Sequence, residues 1–373
     1  MAPIHVLVRR LAGPALVLGL AWLTVGIARP TVLAQSAPAV APVTSSCNLT
    51  APGRIVAVGD VHGALDQYVA ILREAQLIDN RRRWTGGNAT FVQLGDVLDR
   101  GPQSRQALDL LRRLETEAKA AGGQVVFLLG NHEVMRMAGD LRYVSPAEYD
   151  AFKSPDAATL RDRLFEHLVT QNTAAAKARG VDFDTKEFRK QFYLDTPLGS
   201  VEMQIAFSES GEYGTWLRTH DIMARINGIA FVHGGPGPDQ AAVGCDGTNA
   251  QARKDIQKYT VSNRDYLMSF LWNANGALWY RGLVTEPEGG GATPDEVTAV
   301  LKALGATRIV VGHTVTPGRI RTWSDNRVFQ IDTGMLNGEF YPGGAPAALE
   351  VLNGAFTAIY PGKREILVPA SPR

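Results

Sequence analysis

The stretch VVFLLGNHEV, residues 125–134, decides how this chain is read. Val125 to Leu129 is a continuous apolar run, the pattern of a strand buried on both faces. Gly130 breaks the run, and Asn131, His132 and Glu133 follow at once. A polar loop capping a strand is ordinary. Three chemically versatile side chains at a strand's carboxyl end carry weight only if other strands of the chain end the same way.

Working outward, they do. RIVAV (54–58) ends in Gly59-Asp60-Val61-His62-Gly63, and LDQYVAILREAQLI (65–78) follows with its apolar positions at helical spacing. Phe91 to Leu94 ends in Gly95-Asp96-Val97-Leu98-Asp99-Arg100-Gly101, and Pro102 then opens a helix through about Ala121. Ile229 to Val232 ends in His233-Gly234-Gly235, and Arg308 to Val311 in Gly312-His313-Thr314. This rhythm of strand, polar turn and helix predicts an α/β fold. Residues 141–222 depart from it. They are rich in charged and aromatic side chains, with helical stretches such as Ala157 to Ala178, and read as an insertion covering one side of the core. The expected organisation is a flexible leader over 35–52, one domain over 53–365 and a tail over 366–373.

With 373 residues, 45% hydrophobic and 20% charged, the chain can bury a sizeable core and is not broadly disordered. Arg9 and Arg10 precede an apolar run from Leu11 to Ala28, and Val32-Leu33-Ala34 fits a small-residue cleavage site. That three-part pattern predicts a secretory signal peptide over residues 1–34. The alternative is a membrane anchor, since the run approaches spanning length; Gly13, Pro14 and the small-residue exit favour cleavage. Losing this segment removes Arg9, Arg10 and Arg29 and no acid, taking the net charge from +1 to −2. A near-neutral mature chain gives no reason to expect nucleic acid or an anionic membrane surface as partner. The expected protein is exported, periplasmic or secreted, with no stable membrane anchor after cleavage. Cys47 and Cys245 are the only cysteines, and an oxidising compartment predicts one disulfide between them, two separate thiols being the alternative.

Five apolar strands thus end in Asp60/His62, Asp96/Asp99/Arg100, Asn131/His132, His233 and His313. Any one of these is ordinary loop or core chemistry. Together they can converge, because sites in open α/β sheets form outside the carboxyl ends of strands. Mixed imidazole and carboxylate donors suit Zn, Fe or Mn, whereas Ca or Mg asks for oxygen alone. A two-metal site needs a carboxylate placed between ions about 3.5–4 Å apart. A neutral amide such as Asn131 can add a carbonyl oxygen without adding charge. Such a pair acidifies bound water and clamps a phosphoryl oxygen, with no protein nucleophile required.

GDVHG, GDVLDRG, GNHE, VHGG and VGHT, in this order, resemble the calcineurin-like metallophosphoesterases. GDVLDRG and GNHE are similar to the phosphoprotein phosphatase branch. NHEVMRMAGDLRYV, WLRTHD and WYRG resemble its Shewanella-like phosphatases. The resemblance spans about residues 53–352 and implies two facing mixed β-sheets flanked by helices, with metals at the rim. It implies that Asp60, His62 and Asp96 hold one divalent ion, and Asp96, Asn131, His233 and His313 a second. His132 would be the general acid, held by Asp99, while Arg100 grips the phosphate with a fork matched to two of its oxygens. Arg218 and Arg281 are carried over as further phosphate clamps, with surface ion pairs as the alternative. Glu133 would orient neighbouring groups; Asp332 and Tyr280 receive no role.

The implied activity is a dimetal phosphomonoesterase acting on phosphoproteins or phosphopeptides, by in-line attack of metal-bound hydroxide and without a phosphoenzyme. Phosphotyrosine is favoured over phosphoserine and phosphothreonine. The long insertion between His132 and His233 departs from the animal and plant protein phosphatases and should shape the groove. Among its aromatics Tyr143, Tyr149, Phe152, Tyr193, Tyr213 and Trp216, most are expected to form the insertion's own core and a few to line a pocket beside Arg218. Two alternatives stand: a nucleotide or dinucleoside polyphosphate hydrolase, which shares GDxHG, GDxxDRG and GNHE, and a non-catalytic metal- or phosphate-binding protein. The complete set of donors together with His132, Asp99 and Arg100 argues against the second.

Overall fold

The structure is a computed structural model and describes residues 46–259, 269–338 and 340–370. The predicted signal peptide and the leader up to residue 45 lie outside the described residues. Among the described residues, no helix is long and apolar enough to cross a membrane.

The strands are β1 (Asn48–Leu49), β2 (Ile55–Val58), β3 (Thr90–Gln93), β4 (Gln124–Phe127), β5 (Met223–Ile226) and β6 (Ile229–Val232). They continue as β7 (Arg308–Val311), β8 (Arg321–Trp323), β9 (Val328–Gln330), β10 (Ala348–Leu352), β11 (Ala355–Tyr360) and β12 (Lys363–Val368). They form two mixed six-stranded sheets, in the orders β1-β5-β6-β7-β9-β8 and β12-β11-β10-β2-β3-β4. The strands that carry the motifs run parallel: β2, β3 and β4 in one sheet, β6 and β7 in the other. All five polar turns therefore emerge from carboxyl ends.

Alternation explains why these strands read as unbroken apolar runs. Ile55, Ala57, Val92 and Leu349 of one sheet meet Ala224, Phe231, Val310 and Phe329 of the other in a buried layer between the sheets. Phe329 and Phe356 stack across it, ring centroids 4.5 Å apart. The opposite face of the second sheet, through Val56, Val58 and Phe91, packs in a second cluster with Tyr68, Leu72, Leu108 and Leu111 of the covering helices Leu65–Glu74 and Ser104–Ala120. Val311, on the outer face of the first sheet, belongs to the same extended cluster. Both faces are covered, so both faces are apolar.

Three expectations need correction. The strand of the 125–134 stretch spans Gln124–Phe127 and lies at the edge of its sheet, with Val125 and Val126 only half-buried. Full burial resumes at Phe127 and continues through Leu128 and Leu129, just before the turn. The leader is structured at its end: β1 pairs in parallel with β5, and Cys47 is joined to Cys245 with Cα atoms 5.9 Å apart. The tail begins later than residue 366, because β12 continues pairing with β11 to Val368.

The insertion is helical, with helices Pro146–Phe152, Ala157–Ala178, Thr185–Asp195, Ser200–Phe207 and Glu212–Leu217. It divides in two. Phe165, Leu168, Phe188 and Phe192 make a small cluster of their own. Met203, Phe207, Tyr213 and Leu217 join the main core.

Candidate active site

The turn after β3 and the turn after β4 are locked together by one side chain. Glu133 Oε2 accepts from the backbone N–H groups of Asp96 and Gly130, both at 2.8 Å, and Oε1 from Val97 at 2.9 Å. The backbones approach so closely that a Cβ on Gly95 would stand 2.2 Å from the nitrogen of Gly130. Glycine at 95 is required by that contact and by its φ of +82°. His62, Asp96, Asp99, Arg100 and His313 also adopt left-handed φ, between 47° and 71°. A non-glycine residue there costs of order 1 kcal/mol and persists only where its surroundings fix it. Their concentration here marks backbone shaped for the site.

Asp96 sits at the centre. Its Oδ1 accepts from the His132 N–H at 3.0 Å, and its Oδ2 lies 3.7 Å from His62 Nε2 and 3.3 Å from His233 Nε2. His62 Nδ1 donates to the Leu98 carbonyl at 2.9 Å, and His233 Nδ1 to that of Leu94 at 2.7 Å. Both rings are thus fixed with Nε2 inward, the orientation that backbone carbonyls impose on metal-binding histidines. Asn131 Oδ1 lies 2.9 Å from His233 Nε2. Asp60 Oδ1 accepts from the His313 N–H at 3.0 Å, joining the first motif to the last. His313 Nε2 is buried and has no hydrogen-bond partner among the described residues.

The electrostatics are those of a site short of positive charge. Burial, then neighbouring Asp332, raises Asp60 well above the usual carboxylate range. Asp332, an unassigned residue in the sequence, is fully buried and is pushed up to about 6, chiefly by burial. Burial works against protonating His233, but Asp96 and Asp60 outweigh it and push that ring up to about 10. His313 is held down to about 2, by burial and then by His233. Two groups of donor atoms converge here, His62/Asp96/His132 and Asp96/His233/His313, sharing Asp96. Buried carboxylates crowded against inward-facing imidazoles, one with an orphan nitrogen, fit divalent cations bound by nitrogen and oxygen.

A cavity of about 190 Å³ opens above them. Asp60, Asp96, Asn131, His132 and His313 form its base, with Arg100 and Arg281 in its wall. His62, Asp99 and His233 are buried and do not line it. His132 Nδ1 lies 2.6 Å from Asp99 Oδ2. Burial tends to raise Asp99, but the Arg136 guanidinium and His132 outweigh it and hold Asp99 below its ordinary value. Arg281 donates to the His313 carbonyl at 2.8 Å.

Arg218 is not with them. Its guanidinium donates to the carbonyls of Ser208, Gly214 and Tyr259, and it does not line the cavity. Among the described residues it forms no surface ion pair either: it ties the end of the helix Glu212–Leu217 to neighbouring backbone. Tyr280 likewise does not line the cavity; its ring packs against Gly237 and Gly282. Of the insertion aromatics, Tyr143 lines the cavity, whereas Phe152 and Tyr213 pack on Phe207, Tyr193 on Phe165 and Trp216 on Phe127. Sequence reasoning missed Trp279, Val315 and Tyr341, which complete the wall. Tyr341 stands in a Tyr-Pro-Gly-Gly turn with no periodicity to flag it.

The family model for calcineurin-like phosphoesterases matches residues 53–317. The chain belongs to this family. It is a metal-dependent phosphatase. The chain is 29% identical over 306 residues to Shewanella-like protein phosphatase 2 of Arabidopsis thaliana, covering 80% of this chain and 75% of that one. It is 27% identical over 291 residues to Shewanella-like protein phosphatase 1 of Plasmodium berghei, covering 77% and 68%. Among solved structures it superposes on the cold-active protein-tyrosine phosphatase of a psychrophilic Shewanella species with a TM-score of 0.64 and 26% identity, over 87% of this chain and 82% of that one.

Proposed function

We propose that this phosphatase hydrolyses phosphotyrosine in proteins or peptides in preference to phosphoserine and phosphothreonine. The observation that carries the reading is the wall of the cavity. Arg100 stands between two aromatic rings, its guanidinium carbon 5.4 Å from the centre of Tyr143 and 5.7 Å from that of Tyr341. Trp279 and Arg281 lie in the same wall. A phenyl phosphate presents an anion and a flat apolar ring together, and this wall offers cations and aromatic faces together. The shorter phosphoserine leaves the aromatic part without a partner.

Asp60, His62 and Asp96 would hold one divalent ion, and Asp96, Asn131, His233 and His313 another, of Mn, Fe or Zn. When bound, such ions acidify water and offset charge on the phosphoryl oxygens. Arg100 now contacts His62 Nε2, the lone pair that His62 would offer. The two uses exclude each other, so with that lone pair committed Arg100 is free to face the cavity it lines and to grip the phosphate with Arg281. His132 gives the Nε2 proton to the departing phenolate or alkoxide while its Nδ1–H goes on donating to Asp99. His132 also belongs to the first donor group; the short bond to Asp99 and its position lining the cavity support the acid role. The disulfide and the Arg-flanked apolar N-terminus support export to an oxidising compartment, periplasmic or extracellular.

The test is kcat/KM on sequence-matched phosphotyrosine, phosphoserine and phosphothreonine peptides, with a dinucleoside tetraphosphate alongside. The tyrosine peptide is expected to lead. A tenfold lead for a serine or threonine peptide, about 1.4 kcal/mol at the transition state, removes the tyrosine preference. A lead for the dinucleotide returns the chain to the polyphosphate hydrolase alternative.

A further inference from the structure

Behind the His132–Asp99 pair stands a fully buried cation. Arg136 lies one turn beyond His132 on the helix Asn131–Met137, and its side chain is 0% exposed. Its Nη2 donates to Asp99 Oδ1, the carboxylate oxygen that His132 does not use, and to Glu148 Oε2 at 3.0 Å. Nη1 lies 3.1 Å from the Met203 sulfur, and the guanidinium carbon 5.1 Å from the centre of the Phe207 ring. Glu148 belongs to the first helix of the insertion, Pro146–Phe152, and Met203 and Phe207 to a later one, Ser200–Phe207.

Removing an unpaired guanidinium from water costs several kcal/mol, and this one is held by two carboxylates that share Nη2. A charge-assisted hydrogen bond fixes direction as well as charge. With Oδ1 of Asp99 tied to Nη2, Oδ2 is aimed at His132 Nδ1, 2.6 Å away. Glu148 is itself fixed, its N–H donating to Ser145 Oγ and its Oε1 accepting from the Ser145 N–H.

We propose that Arg136, braced by Glu148, is a positioning residue for protonation of the leaving group: it orients the Asp99 carboxylate so that the His132 ring is held by Nδ1 with Nε2 facing the cavity. The inference rests on His132 acting as the acid. In that step a water oxygen bonds to phosphorus and gives up its proton to solvent, while the bond between phosphorus and the leaving oxygen breaks and its electron pair stays on the leaving oxygen. The proton on Nε2 moves to that oxygen, leaving His132 neutral with its Nδ1–H still donating to Asp99. The insertion is thereby wired to the dyad through Glu148, with Phe207 packed on the same guanidinium.

The experiment compares Arg136→Met, Arg136→Lys and the double variant Arg136→Met/Glu148→Leu, which leaves no buried acid facing a missing cation should the single variant fail to fold. Activity is read as kcat/KM on phenyl phosphate, a poor leaving group, and on 2,4-dinitrophenyl phosphate, a good one. The second readout is the proton NMR resonance of His132 Nδ1–H in the zinc-loaded protein, assigned by its absence in His132→Asn. Arg136→Met and the double variant are expected to lose about 10–100-fold on phenyl phosphate and markedly less on the dinitrophenyl ester, within the range of a positioned acid. The resonance should shift or broaden, and Arg136→Lys should restore part of both. Equal losses on the two esters with the resonance unmoved overturn the proposal. Should His132→Asn show no dependence on the leaving group, the acid reading fails by itself, and the resonance still decides whether Arg136 orients Asp99.

Discussion

The metal cradle and the insertion are built on opposite plans. In the cradle, polar side chains are brought together by backbone: parallel strands stop, glycine lets their turns meet, and Glu133 ties two of those turns by their N–H groups. In the insertion, helices are held by side chains, and two of the five, Ala157–Ala178 and Thr185–Asp195, meet through Phe165, Leu168, Phe188 and Phe192. The difference teaches where damage should show. A residue of the cradle has many constraints and few substitutes, whereas the outer insertion can loosen without the turns moving.

The sharpest break of that contrast is Asp96→Asn. The side chain faces His62, His132 and His233 together, so losing its charge should lower the content of both ions and cut turnover on the order of 10³-fold or more, several kcal/mol of transition-state stabilisation. Elemental analysis with two ions retained and near-normal turnover would remove Asp96 from the shared position. Next comes His132→Asn, which should keep both ions yet lose roughly 10²–10⁴-fold on poor leaving groups and less on good ones. Loss of an ion instead would make His132 a ligand.

Arg218→Ala sharpens the other side. It deprives three backbone carbonyls of a donor, so thermal unfolding should report a loss of about 1–3 kcal/mol. KM on phosphopeptides should stay within about twofold, under about 0.5 kcal/mol. A large rise in KM would return Arg218 to the substrate. The smallest effect on activity is expected from Phe188→Ala in the outer cluster. Stability should fall by about 3 kcal/mol or less, since the residue is 8% exposed and its neighbours can relax, while kcat/KM on both esters stays unchanged.

The cradle was legible because its signal is local. Five apolar runs, each stopped by a polar turn beside glycine, place their side chains at strand ends whatever the sheet order proves to be. The outcome for Asp60, His62, Asp96, Asn131, His132, His233 and His313 is convergence on one buried spot. What failed was long-range. Nothing in the sequence near Arg218 shows that carbonyls as distant as that of Tyr259 would take its guanidinium. An edge strand covered by a helix carries the same apolar letters as a central one, so β4 read as buried on both faces. Trp279 and Tyr341 arrive from irregular segments, where no period exists to be read. Arg136 and Glu148 were hidden for a further reason: a buried ion pair looks in sequence like two surface charges on amphipathic helices.

The hydrogen bond from the His313 N–H to Asp60 spans 253 positions of the chain. Beside it, β2, whose carboxyl end leads into Asp60, has β10 for one of its two neighbours. A nascent chain that has reached residue 300 already contains Asp60, Asp96, Asn131, His132 and His233, and still has no catalyst. Pairings this distant in sequence close slowly, because loop entropy must be met before contacts reward it. In refolding, helix content and burial of the early strands should therefore rise ahead of hydrolysis. Competence is the last property the molecule acquires, and a chain cut short before its closing strands keeps every earlier motif without it.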